Sequence, residues 1–82
     1  MQTIILTADQ FRMAKAALRL SNPDLSELTG LHRNTLNKVD VGKGSTSTLK
    51  LLRMTFENAG IIFIAENGGG AGVRLAKPGI QD

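Results

Sequence analysis

The chain contains no cysteine, which excludes disulfides and thiolate-bound metals and leaves packing and hydrogen bonds to hold the fold. Its single histidine is too little for an imidazole zinc site. Tryptophan and tyrosine are absent and phenylalanine occurs three times, so Leu, Ile, Val and Ala must fill most of the core. Long apolar runs are also missing. No span approaches the roughly 20 residues needed to cross a membrane, and residues 3–6 are too short for the apolar region of a secretory signal. The expectation is a cytoplasmic protein with no membrane association, no metal and no cofactor. Nor do the residues group into a catalytic constellation: there is no Ser, His and Asp arrangement and no paired carboxylates. Asp24, Glu27 and Asp40 are explained as helix-start, surface and structural carboxylates, so an enzyme is not expected.

What is present fits one small domain over residues 1–82. A chain of this length buries only about 60% of its unfolded surface, so the core has to be economical. Hydrophobic residues make up 41%, and Lys plus Arg outnumber Asp plus Glu by 10 to 7, for a net charge of +3 and a pI near 9.8. That balance favours a polyanionic partner without requiring one.

The rest of the chain is organised around residues 21–42, SNPDLSELTGLHRNTLNKVDVG. Leu25 and Leu28, three apart, are expected on one inward face of a short helix, and Leu36 and Val39 repeat that spacing in a second. Gly30 stands where the chain must turn sharply through a positive φ, and Leu31 is expected to plug the turn into the core. A second helix from about Arg33 to Val41 places Arg33, Asn34, Asn37 and Lys38 within one arc, opposite Thr35, Leu36 and Val39. Arginine bonds guanine bidentately, asparagine does the same with adenine, and lysine reaches guanine edges or phosphates. A solvated polar face would have the same composition. The absence of acidic residues from Leu31 through Val39, beside a turn of suitable length, favours nucleic acid.

Residues 21–42 resemble the helix-turn-helix of the lambda and 434 repressor and Cro-like family, also called the Xre family. The family pattern runs roughly S-Q-x-x-L-A-x-x-x-G-V-S-x-x-T-I-x-x-x-E-x-G. Ser21, Leu25, Gly30, Thr35 and Gly42 match it identically; Ser26, Leu31, Leu36 and Asp40 are conservative replacements. The resemblance implies base contacts from Arg33, Asn34 and Lys38, with Asn37 and His32 close to the DNA. Two positions depart from the pattern. Asn22 replaces a glutamine that touches phosphate, and Pro23 after it disfavours the α region for Asn22, which makes Asn22 an alternative N-cap. His32 replaces a small hydroxyl residue and either caps the second helix or reaches a phosphate.

On the amino-terminal side, the β-branched run 3–6 reads as a strand. Thr7 and Gln10 form a capping-box pattern, with Leu6 and Phe11 placed as a hydrophobic staple. Phe11, Ala14, Ala17 and Leu18 are the expected buried stripe of the helix that follows, with Arg12, Lys15 and Arg19 on its far side. Arg19 is near enough in sequence to approach the phosphate backbone; a solvated basic face accounts equally for Arg12 and Lys15. On the carboxyl-terminal side, Lys43 and the hydroxyls of residues 45–48 either bond phosphates, as the resemblance implies for Lys43 and Ser45, or include a cap at Ser45 or Ser47. The next helix carries Leu49, Leu52 and Phe56 inward and ends at Ala59 and Gly60. Residues 61–65 and 73–76 read as strands joined by a loop with Asn67-Gly68, a β-hairpin. The run G-G-G-A-G lacks the following helix and the Lys-Ser/Thr of a phosphate-binding loop. The ENGGG-A-GVRL ending is also similar to that of some small phage and bacterial members of the family.

The expected fold is therefore mainly α: a four-helix, lambda-repressor-like domain with its helix-turn-helix at 21–42, a short amino-terminal strand and a hairpin at 61–76. The expected function is sequence-specific binding of duplex DNA by a small repressor or control protein of a phage or mobile element, associated with the nucleoid through DNA. The alternative is an interaction module that keeps the fold and binds another regulator, as an antiactivator would. No small-molecule ligand is expected. One recognition helix reads few base pairs, and two half-sites lie about 34–36 Å apart, so a homodimer on a pseudo-palindrome is expected. Its candidate surface is Ile61, Ile62, Phe63, Ile64, Val73 and Leu75, because strand alternation makes both faces of 61–64 apolar. A three-stranded sheet closed within one subunit is the monomeric alternative.

Overall fold

A computed structural model describes residues 5–76. Four helices, α1 (Ala8–Leu18), α2 (Asn22–Thr29), α3 (Arg33–Asp40) and α4 (Thr46–Asn58), precede a hairpin of β1 (Ile61–Ile64) and β2 (Gly72–Leu75). The chain is mainly helical with a two-stranded antiparallel hairpin, as its patterning leads one to expect. The expected strand at 3–6 is not found where it can be judged: Thr3 and Ile4 lie outside the described residues, and Ile5 and Leu6 are not in a strand.

Each helix begins on a side-chain acceptor that satisfies an amide left free in the first turn, an oxygen for α1, α2 and α4. Thr7 Oγ1 accepts from the Gln10 amide at 3.0 Å while Gln10 Oε1 accepts from the Thr7 amide at 3.1 Å, the anticipated capping box. Ser21 and Asp24 repeat it for α2. Ser21, not Asn22, is thus the N-cap. Asn22 is the first helical residue, because the hydroxyl two positions before Pro23 can cap, and proline fits an opening turn.

The core comprises Leu6, Phe11, Ala14, Leu25, Leu36, Val39, Leu52, Phe56 and Ile61. Leu18, Leu31 and Leu49 pack on it half-buried. All three phenylalanines form one edge-to-face row: Phe11 and Phe56 have centroids 6.0 Å apart, and Phe56 and Phe63 6.2 Å apart. With so few rings, this row ties α1, α4 and β1 together.

Two inward assignments and one outward one need correction. Leu28 is 63% exposed, because α2 turns Leu25, Ser26 and Thr29 inward instead. Ser26 Oγ donates to the Leu31 carbonyl at 2.6 Å, and Thr29 Oγ1 accepts from the Leu31 amide at 3.1 Å. Leu28 lies one 100° step from Thr29, on the far side of that face. Ala17 is exposed, being one such step beyond Leu18 at the edge of a narrow stripe. Lys15, expected on the far side of α1, is half-buried, with its ammonium 4.4 Å from the Phe11 ring centroid and 2.9 Å from Asp40.

The hairpin register pairs Ile61 with Leu75, Ile62 with Arg74, Phe63 with Val73 and Ile64 with Gly72. Opposed residues share a face, and one face meets the helices. Ile61 is buried there, and Phe63 and Val73 pack against the core. Among the expected interface residues, Ile62 at 42% exposure lies on the face turned from the helices, with Ile64 half-buried, whereas Leu75, though 55% exposed, is opposite Ile61 and shares its face.

Candidate nucleic-acid interface

The outward arc of α3 is set by burial of its opposite side. Leu36 and Val39 are buried, Thr35 is half-buried, and Arg33, Asn34, Asn37 and Lys38 are exposed. Gly30 makes the turn before it with φ of 80°, a conformation glycine takes readily. The hydrogen bonds of Ser26 and Thr29 to Leu31 then hold that turn from α2. His32 is the N-cap of α3, its Nδ1 accepting from the Asn34 amide at 3.0 Å. Of the two roles open to His32, capping is the one its side chain performs here.

At the other end, Gly42 has φ of 82°. Its amide bonds the Val39 carbonyl at 3.0 Å, and the Lys43 amide bonds the Lys38 carbonyl at 2.8 Å. This 6→1, 5→2 pattern is a Schellman ending. It places Lys43 beside Lys38, and both contribute to a depression of about 270 Å³ with Thr35, Gly44, Ser45 and Thr48. Ser45 caps α4, accepting from the Thr48 amide at 3.2 Å and donating to Thr48 Oγ1 at 2.9 Å. Its hydroxyl is therefore already engaged in the protein. Among the described residues the ion pairs are Arg12–Asp9, Lys15–Asp40 and Arg53–Glu57, so Arg33, Lys38 and Lys43 carry uncompensated positive charge on one end of the fold.

Behind the arc lies a polar cluster joining three helices. Lys15 Nζ donates to Asp40 Oδ1 at 2.9 Å and to Asn22 Oδ1 at 2.8 Å; Asn22 Nδ2 donates to Asp40 Oδ2 at 3.0 Å and to Asn37 Oδ1 at 2.9 Å. Arg12 donates to the Asp40 carbonyl at the end of α3. Partial burial pushes the Asp40 carboxyl up, but hydrogen bonds from Lys15 and Asn22 and the charges of Lys15 and Arg12 outweigh it and hold the group below its ordinary value. Asp40 is the structural carboxylate its position suggested. Asn22 thus spends its amide inside the protein rather than leaving it free for phosphate.

Arg19 is exposed and closes α1 in the left-handed region, φ 58°; its amide and that of Leu20 bond the Ala16 and Lys15 carbonyls. Among the described residues no group of three metal-ligating side chains occurs, and no helix is long and apolar enough to cross a membrane.

No family model, curated protein or solved structure matches the chain.

Two residues that matter to this surface have weak sequence signals. Lys15 resembles any solvated helix lysine, and only its offset of four from Phe11, which puts both on one face, hints at its place. Gly44 reads as part of a flexible polar connection, yet a Cβ there would lie 2.9 Å from Val39 Cγ2 and 3.0 Å from Leu49 Cδ2.

Proposed function

We propose that this chain is a sequence-specific duplex-DNA-binding regulator of the lambda and 434 repressor and Cro-like type, a small repressor or control protein that reads its operator with α3. The observation that carries the reading is the outward arc of Arg33, Asn34, Asn37 and Lys38, exposed together and, among the described residues, without carboxylate partners. These side chains supply the donors and acceptors that distinguish base pairs in the major groove. Lys43, held beside Lys38 at the rim of a depression, is suited to a phosphate oxygen, a contact that positions the protein without reading sequence. Asn22 and Ser45 act from behind this surface, Asn22 by bracing α3 and Ser45 by fixing α4.

Two half-sites supply the affinity that one short helix lacks, so the working unit is a homodimer. The exposed apolar residues of the hairpin, Ile62 and Leu75, are its contact surface.

Selection of bound duplexes from random sequence, followed by binding of variants to the selected site, tests the reading. Arg33→Ala costs about 1–3 kcal/mol and relaxes preference at one base pair. Lys43→Ala weakens all sequences alike and reduces the salt slope by about 1. If the chain selects no sequence, or if Arg33→Ala, Asn34→Ala and Lys38→Ala bind like the parent, α3 serves a protein partner instead.

A further inference from the structure

The hydrogen bonds behind α3 run in one direction. The Lys15 ammonium can only donate and the Asp40 carboxylate can only accept. Asn22 lies between them, 2.8 Å from Lys15 Nζ and 3.0 Å from Asp40 Oδ2. Its carboxamide is therefore fixed with Oδ1 toward Lys15 and Nδ2 toward Asp40; the flipped amide would set donor against donor and acceptor against acceptor. The second hydrogen on Nδ2 points to Asn37, 2.9 Å away. The near atom of Asn37 must then be its acceptor, Oδ1. Its Nδ2 is left facing outward, and among the described residues it donates to no protein group.

Building on the DNA-binding reading above, we infer that Asn22 is a positioning residue which, held by Lys15 and Asp40, locks the Asn37 carboxamide so that Asn37 presents donors to the major groove. Asn37 in this orientation favours a base edge whose acceptors stand without an adjacent donor, O6 and N7 of guanine or O4 of thymine, over adenine, where N7 adjoins the N6 amino donor. The bidentate adenine contact usual for asparagine needs Oδ1 and Nδ2 side by side on the outward edge, and Oδ1 is turned inward to Asn22. The ion pair at the back of the domain thus sets the polarity of a contact at its front.

Two measurements on the full chain test this. Side-chain amide exchange followed by NMR, without DNA, reads the orientation: the Asn22 Nδ2 protons exchange more slowly than those of Asn37, whose amide protons face water. Equal exchange at the two residues overturns the lock. Site selection reads the consequence. The parent prefers guanine or thymine at the position where Asn37→Ala loses its preference. Asn22→Ala frees the Asn37 amide to turn, and discrimination at that same position falls at least about fivefold or shifts to adenine, while other positions keep their preferences. In the Asn37→Ala background, Asn22→Ala then changes nothing further there. A folded Asn22→Ala protein with unaltered preference overturns the proposal, as does a parent preference for adenine at the Asn37 position. Should Asn22→Ala not fold, the exchange measurement and the base preferred by the parent still decide it. A parent that selects no sequence defeats the DNA-binding reading and the base-reading role of Asn37 together, and the exchange rates still show whether the amide is locked.

Discussion

Gln10 Nε2 lies 3.0 Å from the carbonyl oxygen of Ile64, joining the first turn of α1 to the end of β1 across 54 residues of chain. The same nitrogen donates to the Gly72 carbonyl at 3.1 Å, and Oε1 closes the capping box with Thr7. Gln10 is 4% exposed. A buried polar side chain is tolerated when its groups are paired, and here that pairing fastens the hairpin to the helices.

Gln10→Glu separates the two roles. Glutamate serves a capping box as well as glutamine does, but its carboxylate faces two carbonyl oxygens that have lost their donor. The expected cost is about 1–3 kcal/mol near neutral pH, read as a lowered denaturation midpoint. Protonation restores one donor, so the folded-state carboxyl titrates above its unfolded value. The variant regains stability as pH falls through that raised value and loses it again as pH rises. Stability equal to the parent at neutral pH would show that the hairpin needs no such anchor.

How much of this was legible in the sequence depended on whether the signal was local. The Thr7 and Gln10 cap, the Gly30 turn, the outward arc of α3 and the ending at Gly60 each follow from a few adjacent residues, and all are found. The failures were of another kind. Leu28 shares its spacing with Leu25, and only the neighbours of α2 decide that Ser26 and Thr29 turn inward. Gln10 matched a local motif so well that nothing suggested a second partner in the hairpin. The cluster of Lys15, Asn22, Asn37 and Asp40 joins three helices at separations that no helical period encodes.

Asp40 provides a pH test. Its carboxyl is held below the ordinary value of 3.8 in the folded protein. Its contribution to stability is therefore complete above the unfolded-state value and is lost as pH falls through the folded-state one. Asp40→Asn removes this acid-sensitive increment and costs about 1–3 kcal/mol at pH 7, because Lys15 keeps only a neutral partner. Denaturation midpoints for parent and variant should differ near neutrality and converge as pH falls through the lowered folded-state value. Parallel curves across that range would remove Asp40 from the account of acid sensitivity.

Gly44 is needed for space rather than for backbone freedom. A methyl group there meets Val39 Cγ2 at 2.9 Å and Leu49 Cδ2 at 3.0 Å. Val39 is 1% exposed and branched at Cβ, so it has little room to yield. Gly44→Ala is expected to destabilise by about 1–3 kcal/mol through overpacking between α3 and α4. Gly30→Ala is the contrasting case: nothing lies within 4 Å of its Cβ, and the cost of about 1–2 kcal/mol comes from the left-handed backbone alone. The comparison has a structural readout. In Gly44→Ala the methyl resonances of Val39 and Leu49 shift, and in Gly30→Ala they do not.

The proposed dimer makes its own demand on the hairpin. Ile61 is 2% exposed and belongs to the core of the single chain, whereas Ile62 and Leu75 are 42% and 55% exposed. Substituting a buried residue would unfold the monomer and say nothing about association. Ile62→Lys and Leu75→Lys change exposed positions, where effects on stability are usually within about 0.5 kcal/mol. A charge facing a partner's apolar surface, in contrast, opposes association through the cost of burying it. The expected result is a parent that sediments as a dimer and binds two half-sites more tightly than one. Each variant should be a folded monomer that binds both DNAs with similar, weaker affinity. A parent that stays monomeric at high micromolar concentration and binds one half-site as well as two would defeat the dimer. Variants that stay dimeric with unchanged binding would move the contact away from the hairpin, toward the exposed Leu51 and Met54 of α4.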